Sequence, residues 1–200
     1  MAIRAFLAVE LSEPARAAAA ALAHDLARGS EGVRWARPET YHVTLHFFGD
    51  VDPDGIPALA RSVGDAVATV APFRLRLGAP YLFPDARRPR VVALGLEPAG
   101  QLLALAEAVE RGVAAAGFPA EARPFRAHLT LGRIGERGAR VALPGSAPPA
   151  PETPVREVIL FQSQLLPQGA RHTPLERLAL GSRVSPDTKT TEGEDDHGEE

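Results

Sequence analysis

Two tetrapeptides of one pattern, His42-Val43-Thr44-Leu45 and His128-Leu129-Thr130-Leu131, lie 86 residues apart, each inside a short apolar run. In an extended strand, successive side chains point to opposite faces. Each tetrapeptide therefore presents an imidazole and a hydroxyl about 7 Å apart on one face, with aliphatic residues behind them for a core. Imidazole is the side chain whose ordinary pKa lets one copy be protonated while another is neutral near pH 7. Facing each other, one ring can take a proton from water and the other can give one to a leaving oxygen. Displacement at phosphorus needs these partners on opposite sides, because attacking and leaving oxygens lie roughly in line.

The hydroxyls of Thr44 and Thr130 are candidates to hold the non-bridging phosphate oxygens. Charge would come from Arg126 or Arg133, both close to His128 in the chain. Arg126 shares parity with His128. Arg133 does not, unless Gly132 seats a bulge that re-aims it. The chemistry this favours is hydrolysis or transfer of a phosphodiester, above all a strained cyclic one. Two His-x-Thr matches among six histidines would arise by chance on the order of a few per cent of the time, so the repeat is a signal where a single match is not.

By the same alternation His46 is expected in the cleft, as a candidate substrate contact, and Phe47 in the core. Phe6 is a candidate to stack on a base. A metal site on His42 and His46 would need a helix. Strand alternation puts those rings some 13 Å apart, and no acidic cluster supplies further ligands, so neither metal nor cofactor is expected. The chain has no cysteine, which excludes disulfides and thiolate chemistry. Two other readings compete: an RNA-binding module without turnover, and a cyclic phosphodiesterase acting on a nucleotide or an ADP-ribose-type small molecule.

The elements that must position these residues can be read in outline. Strands are expected at 3–10, 33–35, 41–48, 73–78, 90–96, 126–132, 155–165 and 172–180. Helices are expected at 13–28, with Ser12 as its cap and Pro14 early in it, and at 53–70 and 98–116. A Pro- and Arg-rich connection spans 84–89. Hairpins mixed with helices favour α+β over a doubly wound parallel sheet. Each half of the chain holds one long helix and one His-x-Thr strand. The fold expected is bilobal, two similar lobes of mostly antiparallel sheet with helices, related by a pseudo-twofold axis, with the cleft between them.

With 45% hydrophobic and 24% charged residues among 200, the composition is that of an ordinary globular chain. The net charge of −3 conceals an asymmetry. Residues 185–200 carry seven acids against one lysine and no aliphatic residue, so they are expected to be a disordered tail, with 1–184 forming one domain. The body is mildly basic, and its cations are all arginines. No signal peptide or membrane span is evident, so a monomer in the cytoplasm is expected, without membrane or DNA as partner.

The stretch 33–39 before His42 and the stretch Arg123-Pro124-Phe125-Arg126-Ala127 before His128 resemble the two-histidine (2H) phosphoesterase superfamily. They are most similar to its RNA 2′,3′-cyclic phosphodiesterase branch, also called the 2′–5′ RNA ligase family. The opening Arg4-Ala5-Phe6-Leu7-Ala8-Val9 and the closing 161–165 and 169–173 share that likeness. The resemblance implies a metal-independent reaction on RNA or a nucleotide bearing a 2′,3′-cyclic phosphate. It implies His42 as the acid protonating the departing 3′ oxygen, His128 as the base activating water, and a 2′-phosphate as product. Joining RNA ends through a 2′–5′ bond would be the reverse reaction. His172 departs from the family, which commonly has an aromatic residue there, and is expected to serve packing.

Overall fold

The computed structural model describes residues 1–182 apart from Ala122, Arg137 and Gln168, so the acidic segment 185–200 lies outside the described residues. The chain runs β1 (Ile3–Glu10), α1 (Glu13–Arg28), β2 (Val33–Trp35), β3 (His42–Val51), α2 (Ile56–Val67), β4 (Phe73–Phe83), β5 (Val91–Glu97), α3 (Ala99–Ala115), β6 (His128–Ile134), β7 (Thr153–Val155), β8 (Glu157–Leu166) and β9 (Gly169–Ala179). The strands form two antiparallel sheets, ordered β3-β1-β8-β9 and β2-β6-β5-β4-β7. This is the α+β, two-lobed arrangement expected, with the two motif strands lying against one another. No helix among the described residues is long and apolar enough to cross a membrane.

The lobes are not the two halves of the chain. The first sheet joins the N-terminal strands β1 and β3 to the C-terminal hairpin β8–β9. The helices are exchanged as well. Helix α1 follows β1 but packs on β2 and β6 of the second sheet, while α3 follows β5 yet reaches β3 of the first. Helix α1 buries a ridge of small residues, Ala15, Ala19 and Ala23, which permits close approach. Its N-cap position is Ser12, as the sequence suggests, but the hydroxyl does not cap. It instead meets the Thr153 hydroxyl at 3.1 Å, tying the start of α1 to β7.

Two strands differ from expectation for physical reasons. Strand β4 continues past Gly78 to Phe83, through Pro80. Its partner β7 covers only Phe73–Leu75, so Pro80 sits on an outer edge where its missing N–H costs no ladder bond. The expected strand 155–165 is divided: Thr153–Val155 pairs with the second sheet, and Glu157 onward pairs with the first. The chain crosses between lobes at Arg156. The third helix is as expected; the second is shorter, its first residues forming a 3-10 turn at Pro53–Gly55.

Helices α2 and α3 cross at Gly112, whose carbonyl accepts the Ser62 hydroxyl at 2.9 Å. A Cβ at this position would stand 2.6 Å from the Val63 Cα. Gly112→Ala is expected to destabilise the fold by about 1–3 kcal/mol in urea unfolding, as overpacking does, although alanine is the better helix former. A neutral or stabilising result would show that the crossing has slack.

Candidate active site

Both motif strands start with their histidine, and both hold it in the same way. The Nδ1–H of His42 donates to the Thr40 carbonyl at 2.8 Å, and that of His128 donates to the Arg126 carbonyl at 2.7 Å. Each bond occupies one ring nitrogen and leaves Nε2, on the opposite side of the ring, to accept or give a proton. Each ring also rests on a phenylalanine from its own sheet. Phe6 lies 4.7 Å from His42, and Phe83 lies 4.7 Å from His128 with only 11° between planes. The site is thus twofold in its local bonding.

A second shared device follows each motif. The β1–β3 register slips between Leu7 and Ala8, leaving Leu45 as the extra residue of a bulge. The β5–β6 register slips between Val92 and Ala93, leaving Leu131 as its counterpart. A bulge reverses the parity of everything beyond it. In β6 this puts Arg133 on the His128 face, the re-aiming that a bulge at Gly132 would give, one residue earlier in the chain. The charges of Arg133 and His128 both act on His42 across the cleft.

In β3 the same slip overturns two expectations. His46 turns away from the cleft and is buried, 3% exposed, with its Nδ1 2.5 Å from Glu110 of α3. The other Glu110 oxygen accepts the Glu121 N–H at 3.1 Å. His46 is therefore a bolt between β3, α3 and the loop entering β6, buried away from the cleft. Phe47 takes the exposed position instead of the core, 42% accessible, with the Arg4 guanidinium 4.7 Å from its ring centre. Phe6 also fails as a base-stacking surface. It is 3% exposed, wedged between His42, Phe161 and His172, and it supports the His42 ring.

Thr44 and Thr130 are half-buried, and neither hydroxyl forms a hydrogen bond among the described residues. Arg126 is exposed; its guanidinium sits over Phe83 at 5.3 Å and donates to the Pro84 carbonyl at 3.4 Å. One participant, Phe83, escaped the sequence reading, and another, His172, was expected only to serve packing. Phe83 was hidden because β4 was expected to end five residues earlier. His172 lies edge-on to His42 at 5.2 Å, with its Nδ1 buried and unpartnered among the described residues.

Burial is the largest influence on His42, and it lowers the pKa to about 4; the Thr40 carbonyl opposes this, and the charges of His172, Arg133 and His128 add to it. His172 is lowered as well, by burial and then by Arg37. In the free protein His42 is neutral at pH 7.

A family model described as LigT like Phosphoesterase matches residues 9–93 and 94–172. The chain belongs to the LigT-like phosphoesterases. Among its relatives in this family, the RNA 2′,3′-cyclic phosphodiesterase of Methanothermobacter thermautotrophicus is 32% identical over 90% of this chain and 100% of that protein. A crystal structure of a protein from Thermus thermophilus superposes with a TM-score of 0.76 at 32% identity, covering 90% of this chain and 100% of that one. E. coli LigT, solved in complex with 3′-AMP, gives a TM-score of 0.71 at 27% identity, over 90% of this chain and 99% of that one. Two consecutive matches to one LigT-like phosphoesterase model agree with the twofold bonding of the histidines.

Two outcomes follow. His46→Ala should lower stability by about 1–3 kcal/mol, since it strands a part-buried Glu110 carboxylate, while kcat/KM stays within about threefold. A hundredfold loss of kcat/KM at unchanged melting temperature would return His46 to the cleft. Secondly, because His42 binds its proton less readily folded than unfolded, folding stability rises with pH between about 4 and its ordinary value of 6.5. His42→Asn should flatten that part of a melting-temperature profile, leaving the weaker His172 contribution.

Proposed function

We propose that this chain hydrolyses the 2′,3′-cyclic phosphate at RNA ends to a 2′-phosphomonoester, a single copy sufficing. The observation that carries this reading is the matched pair of histidines, each with Nδ1 spent on a backbone carbonyl and Nε2 left over. The names of the relatives support the substrate.

In the mechanism, Nε2 of neutral His128 takes a proton from water as its oxygen attacks phosphorus. The P–O3′ bond breaks on the opposite side, and Nε2–H of protonated His42 supplies the proton that makes O3′ a hydroxyl. Thr44, Thr130 and Arg133 hold the non-bridging oxygens, whose charge grows in the transition state. His42 is neutral in the free protein, so its proton must be acquired with the substrate. The bound phosphate monoanion does this by placing a negative charge beside the buried ring and offsetting the positive charge of Arg133. A module without turnover would have no use for two rings poised in this way.

His42→Ala and His128→Ala are each expected to lower kcat at least a hundredfold on cytidine 2′,3′-cyclic phosphate with the fold intact by circular dichroism. A near-normal rate in either removes that residue from the mechanism. The profile of kcat/KM is bell-shaped, its acid limb near pH 4 belonging to the coupled pair. The bell does not separate acid from base; the product does. Phosphorus NMR should show a 2′-phosphate, and a 3′-phosphate would exchange the two roles. Chelator should leave the rate unchanged, and inhibition reversed by one metal would overturn the proton-transfer scheme.

A further inference from the structure

Several arginines of this protein are neutralised: Arg74 and Arg76 meet Glu152, and Arg177 meets Glu10 and Glu157. Those clustered around the connection between β4 and β5 are not. Arg87, Arg88 and Arg90 are exposed there, and with Arg126 they form no ion pair among the described residues. The one acid at the tip, Asp85, is exposed and feels the Arg88 charge, its Oδ1 accepting the N–H groups of Arg87 and Arg88 at 2.8 and 3.0 Å, which leaves the cations in excess. Like charges gathered in excess repel, and an anion laid across them relieves that repulsion.

The tip is fastened to the wall of the cleft. Arg90 N–H donates to the Phe83 carbonyl at 2.8 Å, and Ile134 N–H of β6 donates to the Arg90 carbonyl at 2.8 Å. Phe83 stacks on His128, and Arg126 lies over Phe83. Arg87 is four residues beyond Phe83, hence at most about 14 Å from it. At about 3.4 Å per phosphate, a stacked strand crosses that distance in about four nucleotides. A ribonucleotide ending in a 2′,3′-cyclic phosphate continues only through its 5′ oxygen, so whatever extends from the cleft is itself a chain of phosphates.

We propose that the β4–β5 tip receives the RNA strand behind the cyclic end, with Arg87 and Arg88 on its backbone phosphates, so that polynucleotide ends are chosen over free cyclic mononucleotides. This rests on the cyclic phosphodiesterase reading above.

The test compares cytidine 2′,3′-cyclic phosphate with a hexaribonucleotide carrying the same terminus, for the parent protein and for R87A/R88A. The parent should show kcat/KM at least tenfold higher on the hexamer. The variant should lose that advantage and keep its rate on the mononucleotide. Its plot of log KM against log salt on the hexamer should be shallower by about 1.4, at 0.7 for each single-strand phosphate released. Equal kcat/KM for the two substrates in the parent, or equal losses on both in the variant, overturns the proposal while leaving the chemistry standing. Failure of the parent to cleave either substrate overturns both.

Discussion

One short hydrogen bond, made twice, governs the site. Each motif histidine gives its Nδ1 proton to the carbonyl two residues behind it, and the ring can then meet a ligand only through Nε2. Because the bond is made to backbone at the entry to a strand, it is fixed by the fold and not by a neighbouring side chain. Two identical anchors alone would give two identical rings. Acid–base work on a single bond needs them to differ, and the difference comes from what surrounds them. His42 is buried, enclosed by Phe6 and His172 and within reach of the Arg133 charge, whereas His128 rests on Phe83 beneath an exposed arginine.

Strand alternation was enough to find His42, Thr44, His128 and Thr130 on facing strands, because all four precede any irregularity in their strands. It failed one residue later. Parity carries no warning of a bulge at Leu45, where leucine is an ordinary strand residue, and the slip exchanged the expected places of His46 and Phe47. At Arg133 the same kind of slip stood as one of two alternatives, because Gly132 beside it hinted at a bulge, and the slip falls at Leu131. The two motifs are equivalent in space, yet only one advertised its bulge in the residue types.

The α+β class and the paired lobes were legible from the spacing of helices and hairpins. The exchange of elements between lobes was not. Local pattern places α1 after β1, but what it packs against is decided by which apolar faces are left to cover, and this is a property of the assembled sheets. His172 illustrates the same limit. The family likeness drew attention to it, but its edge-on contact with His42 arises from the assembly of β9 and β3 into one sheet, which local pattern does not give.

With a single residue, Arg156, separating β7 of one sheet from β8 of the other, and with helices lent in both directions, the two lobes are laced together. Opening such a body like a clamshell would have to carry the crossing strand and the exchanged helices with it, so the separation of the two motif strands is a property of the whole assembly and not of one hinge.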